Sequence, residues 1–361
     1  MFCTVERLAL IASRRGLGAV VTEWSKHDGA GAERALQLLI DSGHADRAPK
    51  AAFNLGVLRE DLGDFAGAEQ AYQLAIDSGH ADQAPKAAVN LGVLCEGRGD
   101  FAGAERALRL AIESGHVDMA PMAAVNLGIL CDDQEGAERA YRLAIGSGHA
   151  DQAPKAAVNL GVLCEGRGDL AGAEWAYQLA IESGHVDMAP MAALNLGVLR
   201  EGRGDLAGAE HALRLAIASG HADQAPKAAV NLGVLCEERE DLAGAERAYQ
   251  LVIDSGHADQ APQAGVNLGV LCHGRADFAG AERAFQLVID SEHADLAPKA
   301  AFNLGVLRED QGDLAGAERA YQLAIDSGHP TAASFAREVL SHLRGCDDPP
   351  GVTGASRGDS P

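Results

Sequence analysis

Aromatic residues make up only 4% of this 361-residue chain. A single large core normally depends on bulky side chains, so one large core is not expected. Glycine is abundant instead, with 43 residues, and together with many alanines it points to backbones that approach closely at many places. Basic residues are scarce: 30 Lys and Arg stand against 52 Asp and Glu, a net charge of −22. Nucleic acid demands clustered Lys and Arg to displace counterions, so a nucleic-acid partner is excluded. Docking on an anionic membrane is disfavoured for the same reason, and neutral or basic partners suit the charge better.

Other absences narrow the reading further. No apolar run approaches the roughly 20 residues of a membrane span. Ser13-Arg14-Arg15 hints at twin-arginine export. However, Glu6 precedes it, the apolar run after it covers only Gly16 to Val21, and no Ala-x-Ala site stands before Glu23 and Trp24. The cytoplasm is therefore the expected location. There is no Walker loop, no nucleophile elbow and no CxxC pair, so no catalytic set and no cofactor are expected. Alternation of period two is missing, which argues against strands.

What is present is repetition. SGHADQAPKAAVNLGVLCE occurs three times unchanged, from Ser78, Ser147 and Ser219. Its histidine recurs at His44, His80, His116, His149, His185, His221, His257, His293 and His329. Seven of these intervals are 36 residues and one is 33, which makes residues 44–328 eight tandem units. A period of this size is the signature of a stacked array. Units starting at His80, His149 and His221 read ADQAPK, and those at His116 and His185 read VDMAPM, a second period that reads as copying in pairs.

One unit, His80 to Gly115, shows the local logic. Asp82 reads as an N-cap and Pro85 falls in a first helical turn, where its missing N–H costs nothing. Ala88, Leu91, Gly92 and Cys95 recur at helical spacing and define helix A. Gly97 and Gly99 stop it, and Asp100 can cap helix B, whose expected buried stripe is Phe101, Ala104, Leu108, Ala111 and Ile112. Ser114-Gly115 ends it. A hairpin of two such helices cannot bury both faces alone; stacking on its neighbours does so.

The run Asn90-Leu91-Gly92, then Gly99-Asp100, Ala104, Leu108 (Tyr72 or Tyr141 in other units) and Ala111 resembles the tetratricopeptide repeat. The longer period and the Gly-His before helix A resemble its Sel-one-like relatives. The resemblance implies an all-α fold, a right-handed α-α solenoid of tandem helical hairpins with the A helices on the concave face. The expected organisation is a divergent segment with a half repeat at 1–43, eight repeats at 44–328, a C-terminal capping helix at 329–344 and a disordered tail at 345–361. The chain departs from the family at Ala52 and Ala88, where a large aromatic is usual, and at Cys95 and Arg59, where Tyr is usual.

Several residue series could carry chemistry. The histidines read as helix-end residues interacting with exposed carbonyls. Packed helix axes lie roughly 8–10 Å apart, so equivalent histidines cannot share a zinc ion, which needs ligands at about 2.0–2.3 Å. No metal site is expected. Cys95, Cys131, Cys164, Cys236 and Cys272 occupy one slot and cannot form disulfides for the same reason; they read as small buried hydrophobes. The Gly-Arg-Gly-Asp runs at 97–100, 166–169 and 202–205 are explained by a helix stop and a helix cap.

Asparagine is different. Asn54, Asn90, Asn126, Asn159, Asn195, Asn231, Asn267 and Asn303 stand mid-helix, where Asn is a mediocre former. Either a structural hydrogen bond or a ligand offsets the cost. The resemblance implies that an Asn before Leu-Gly can bind the backbone of an extended peptide. It also implies that Lys50, Lys86, Lys155, Lys227 and Lys299, four residues earlier, can contact the acidic groups of that peptide. Val57 and Val93 stand where the family's carboxylate clamp has a second Asn, so recognition of a C-terminal carboxylate is not expected. The Val57 series, continued by Ile129, would form an apolar floor. Glu60, Glu96, Glu165, Glu201, Glu237 and Glu309 would form a negative rim suited to basic segments.

The function these residues imply is a protein-interaction scaffold holding an extended peptide or partner protein. Two alternatives stand beside it. One is a metal-buffering or redox protein using the His and Cys series. The other is a repeat array with no fixed ligand.

Overall fold

The computed structural model describes residues 29–346, and every regular element among them is helical. In order these are α1 (Gly29–Asp41), α2 (Arg47–Asp61), α3 (Phe65–Asp77), α4 (Gln83–Gly97), α5 (Phe101–Glu113), α6 (Met119–Leu130), α7 (Gln134–Gly146), α8 (Gln152–Gly166), α9 (Leu170–Glu182), α10 (Met188–Gly202), α11 (Leu206–Ala218), α12 (Gln224–Glu238), α13 (Leu242–Ser255), α14 (Gln260–Gly274), α15 (Phe278–Asp290), α16 (Leu296–Asp310), α17 (Leu314–Asp326) and α18 (Pro330–Cys346). Even-numbered helices from α2 to α16 are the A helices, and each is followed by its B helix. The helix α18 continues through Cys346, past the 345 boundary read from the sequence. The twin-arginine stretch and residues 347–361 of the expected tail lie outside the described residues.

The chain divides into two compact units, one ending at Ala189 and one starting at Pro190, with α10 spanning the division. Within each unit the A helix packs on its own B helix and on the B helix before it. Successive A helices also approach within 8 Å, whereas successive B helices do not among the described residues. The A helices therefore form the tighter side of each stack.

That spacing comes from small residues facing large ones. The glycine of each Asn-Leu-Gly lies under the large residue of the following B helix. A Cβ added at Gly56, Gly161 or Gly305 would sit 2.4 Å from the ring of Tyr72, Tyr177 or Tyr321. Ala68, Ala71 and Ala75 on α3 are fully buried around Tyr72. Phe101, read as the start of the buried stripe, is instead 60% exposed; it lies at the hairpin tip, beyond the end of α4, and the stripe begins at Gly103 and Ala104.

The Gly-Arg-Gly-Asp turn performs three structural tasks. Gly99 adopts φ +78, open only to glycine at low cost. Asp100 accepts a hydrogen bond from the Gly103 amide at 2.9 Å and caps α5. Arg98 reaches back to Glu69 of the preceding B helix at 2.8 Å, and Arg167–Glu138 and Arg275–Glu246 repeat the link.

The 33-residue unit loses its three residues from the last turn of helix A, so α6 has 12 residues where other complete A helices have 15. Cys131 turns extended at once and Asp133 caps α7 through the Gly136 amide. No Arg98 counterpart remains, and Glu105 pairs with Arg109 in its own helix. A cavity of about 250 Å³ opens there, lined by residues including Leu127, Cys131 and Arg139.

Candidate functional site

The histidines act at the start of helix A. Nδ1 of His80 accepts the backbone N–H groups of Asp82 and Gln83, both at 3.2 Å. His116, His149, His185 and His257 do the same. Asp82 is already in helical conformation and its side chain caps nothing. The expected Asp cap is thus replaced by an imidazole. An acceptor Nδ1 places the ring proton on Nε2, and Nε2 faces the aspartate of the preceding repeat. His116–Asp82 and His149–Asp118 are 3.3 Å apart, and His329–Asp295 is 2.9 Å. His116, His149 and His329 thus both cap a helix and tie it to its neighbour. Among the described residues no three His, Cys, Asp or Glu side chains gather as a metal set.

Burial pushes the thiols of Cys95, Cys131, Cys164, Cys236 and Cys272 above their ordinary range, and nearby carboxylates add to it. All five are free, and only Cys131 is partly exposed. A raised thiol is a poor nucleophile at neutral pH.

The carboxyl of Asp82 is held below its ordinary 3.8 by the Lys86 hydrogen bond first and by His116 second. A depressed carboxylate stabilises the fold above its unfolded value, and that contribution is lost as pH falls through the lower folded value. Thermal melts between pH 5 and pH 2.5 should therefore show Asp82→Asn losing less melting temperature than wild type below about pH 3.8. Parallel curves would mean that the Asp82 contacts carry no linkage.

All eight asparagines are half-buried on the A helices. The structure divides them in a way the sequence reading missed. Asn90 donates to the Tyr72 hydroxyl at 3.4 Å, and that hydroxyl donates to Glu60 at 2.8 Å. The Tyr249 hydroxyl donates to Glu237 at 2.5 Å, and Asn267 Oδ1 accepts the Gln263 carboxamide at 3.1 Å. Burial and the adjacent carboxylates raise the Tyr72 and Tyr249 phenols well above their ordinary 10.0. Elsewhere in the slot stand Leu36, Leu108, Leu213 and Phe285, and the asparagines that follow them, Asn54, Asn126, Asn231 and Asn303, make no side-chain hydrogen bond among the described residues. The available signal was a Tyr 12 residues after Glu60 and 18 before Asn90.

The remaining predicted residues are placed as follows. Lys86 and Lys299 pair with Asp82 and Asp295, one turn earlier. Lys50, Lys155 and Lys227 make no ion pair within 4.0 Å among the described residues. Of the rim carboxylates, Glu60, Glu165, Glu237 and Glu309 accept tyrosine hydroxyls, while Glu96 is exposed. Glu201 is raised by burial first and by Glu238 second. The inner members of the apolar series stay uncovered, with Val93 48% exposed, Ile129 60%, Val162 53% and Val270 52%, whereas Val57 and Val306 are partly buried against the core. No described helix is long and apolar enough to cross a membrane.

Stacked two-helix hairpins that bury alanine and glycine against one large residue per repeat define an α-helical repeat solenoid. The tetratricopeptide repeat model matches residues 17–88, 194–264 and 274–333, more than half of the chain, and this protein belongs to the tetratricopeptide repeat family. A Sel1 repeat protein from Oxalobacter formigenes is similar in structure: 20% identical, TM-score 0.53, covering 86% of this chain and 92% of that one. The C-terminal part of a TPR repeat-containing protein from Cytophaga hutchinsonii is 14% identical over 65% of this chain and 94% of its own, with TM-score 0.49. No curated protein matches the chain. Tetratricopeptide repeat proteins are in general protein-interaction scaffolds.

Proposed function

We propose that this protein is a non-enzymatic scaffold whose A-helix side holds an extended polypeptide carrying basic and aliphatic side chains. The observation that carries the reading is the exposed row of Val93, Ile129 and Val162 in the N-terminal unit, and of Val198, Val234 and Val270 in the C-terminal unit. β-Branched residues left open at equivalent positions of neighbouring helices support a binding face. Asparagine carboxamides border the row, and glutamates at the ends of the A helices favour a basic partner over an acidic one. The raised, buried thiols and the committed histidine rings favour this reading over metal or redox work.

The test is selection from a phage-displayed library of random 12-residue peptides on the full chain. Enriched peptides should be rich in Arg or Lys and in aliphatic residues. Val93→Ser with Ile129→Ser should weaken binding of peptides held by the N-terminal unit about tenfold, at an unchanged melting temperature. These side chains are exposed in the free protein, so replacing them disturbs little else. A library that yields no binder, or binders indifferent to both apolar rows, would sink the reading.

A further inference from the structure

The B helices of the C-terminal unit repeat one pattern of exposed side chains. On α15, Gln286, Leu287 and Asp290 follow Arg283 at helical spacing, so the four share one stripe. All four are exposed, Leu287 to 41%. The B helices on either side carry the same stripe, with Arg247, Leu251 and Asp254 on α13 and Arg319, Leu323 and Asp326 on α17. Leu251 is 51% exposed and Leu323 48%. The series ends at α11, where His211 and Ala218 stand in place of the two charges. A groove of about 730 Å³ runs beside α15, lined by Ile253, Ala261, Pro262 and the α15 stripe. It opens where successive B helices stay more than 8 Å apart while the A helices close up.

The charges of the stripe are not satisfied within their own helix. Arg283 makes no ion pair among the described residues. Seven residues of helix separate it from Asp290 by about 10 Å, and the residue one turn on is Leu287. Asp290 closes α15, where a carboxylate meets the negative end of the helix dipole. A hydrogen bond from Gln286 at 2.8 Å offsets part of that cost, and a cation from outside would offset more.

Reversed, the stripe is complementary to itself. Its midpoint falls between Gln286 and Leu287. In an antiparallel pair, Arg283 of each helix stands opposite Asp290 of the other, and the two leucines meet at the centre. A parallel pair would set Arg283 on Arg283 and Asp290 on Asp290. A second copy also matches the spacing between successive stripes, which a lone foreign helix cannot do.

We propose that these B helices form a self-association face. There, α15 packs antiparallel on α15 of a second copy of this chain, exchanging two Arg283–Asp290 pairs around Leu287 and filling the groove beside it. Such a contact is isologous and closes as a dimer. One helix pair buries less than the roughly 1,200 Å² of a stable interface, so α13 and α17 extend the contact and the dimer is concentration-dependent. The net charge of −22 repels two copies at low salt. The A-helix side stays open in the pair.

The experiment is sedimentation velocity of the full chain in about 0.15 M salt, which screens the long-range repulsion. Wild type should pass from monomer to dimer between about 1 and 100 μM, the affinity range of a modest contact. Arg283→Asp and Asp290→Arg should each weaken self-association about tenfold or more, because each sets like charges together on both sides of the axis. Both positions are exposed, so melting temperatures should barely change. An equimolar mixture of the two variants should associate as wild type does, since each then meets its opposite charge. The double variant Arg283→Asp with Asp290→Arg should do so alone. A chain that stays monomeric throughout would overturn the proposal and leave the face to another partner. Dimers indifferent to both reversals, or a mixture no better than its components, would overturn it as well and place the contact elsewhere.

Discussion

Tyr249→Ala should cost about 3–5 kcal/mol, the range for removing a buried aromatic ring. The side chain is fully buried between α12 and α14, and its loss also strips Glu237 of its hydroxyl partner. Stability of a repeat stack is a sum of nearest-neighbour contacts, so the damage should stay local. Hydrogen exchange should quicken across α12, α13 and α14 and stay unchanged in α2 to α5. Tyr249→Phe separates the two contributions. Phe285 already fills the same slot one repeat later, also buried, so the ring without its hydroxyl fits. Tyr249→Phe should lose only about 1 kcal/mol, the worth of the hydrogen bonds. A Phe variant as damaged as the Ala variant would make the polar relay, and not the ring, the source of stability.

The second large effect lies at the facing glycine. A Cβ on Gly233 would stand 2.3 Å from a Tyr249 ring carbon, against 2.7 Å from a leucine methyl for the same glycine at Gly197. Both neighbours are fully buried, and Leu213 Cγ also stands 2.7 Å from the added Cβ, but a branched aliphatic chain yields more readily than a rigid ring. Overpacking costs about 1–3 kcal/mol, while Gly→Ala within a helix gains up to about 1 kcal/mol. Gly197→Ala should therefore be close to neutral. Gly233→Ala should lower stability by about 2 kcal/mol or more, since the ring must shift by over 1 Å to restore contact distance. The Tyr249→Leu background, which copies the natural Leu213 repeat, should absorb the added methyl. A double-mutant cycle would then show favourable coupling of 1 kcal/mol or more. Additive losses would mean that glycine and ring do not set the helix spacing.

These two positions also separate what could be read locally from what could not. The turns were legible because their causes are local. Gly99 must adopt positive φ and Asp100 must accept the Gly103 amide, and both requirements are written within four residues. The start of helix A was also local, yet it was misread: Asp82 and His80 both offer an acceptor, and only the path of the chain decides that the imidazole reaches the amides first. In the short repeat the run from Cys131 to Gly136 reads as a shortened turn between the helices, whereas the structure takes the three residues from the last turn of helix A.

The sequence by itself determined the repeat, its period, the helical hairpin, the close approach of helices at small residues and the family. Each follows from spacing along one chain segment or from residues a single hairpin brings together. The tertiary structure alone decided which polar groups are committed. The His116–Asp82 link spans 34 residues and the Asn90–Tyr72–Glu60 relay spans 30; both exist because stacking sets neighbouring repeats at a fixed offset. Identical asparagines thus acquire different partners, the Tyr72 hydroxyl for Asn90 and the Gln263 carboxamide for Asn267, because the residues packed beside each slot differ.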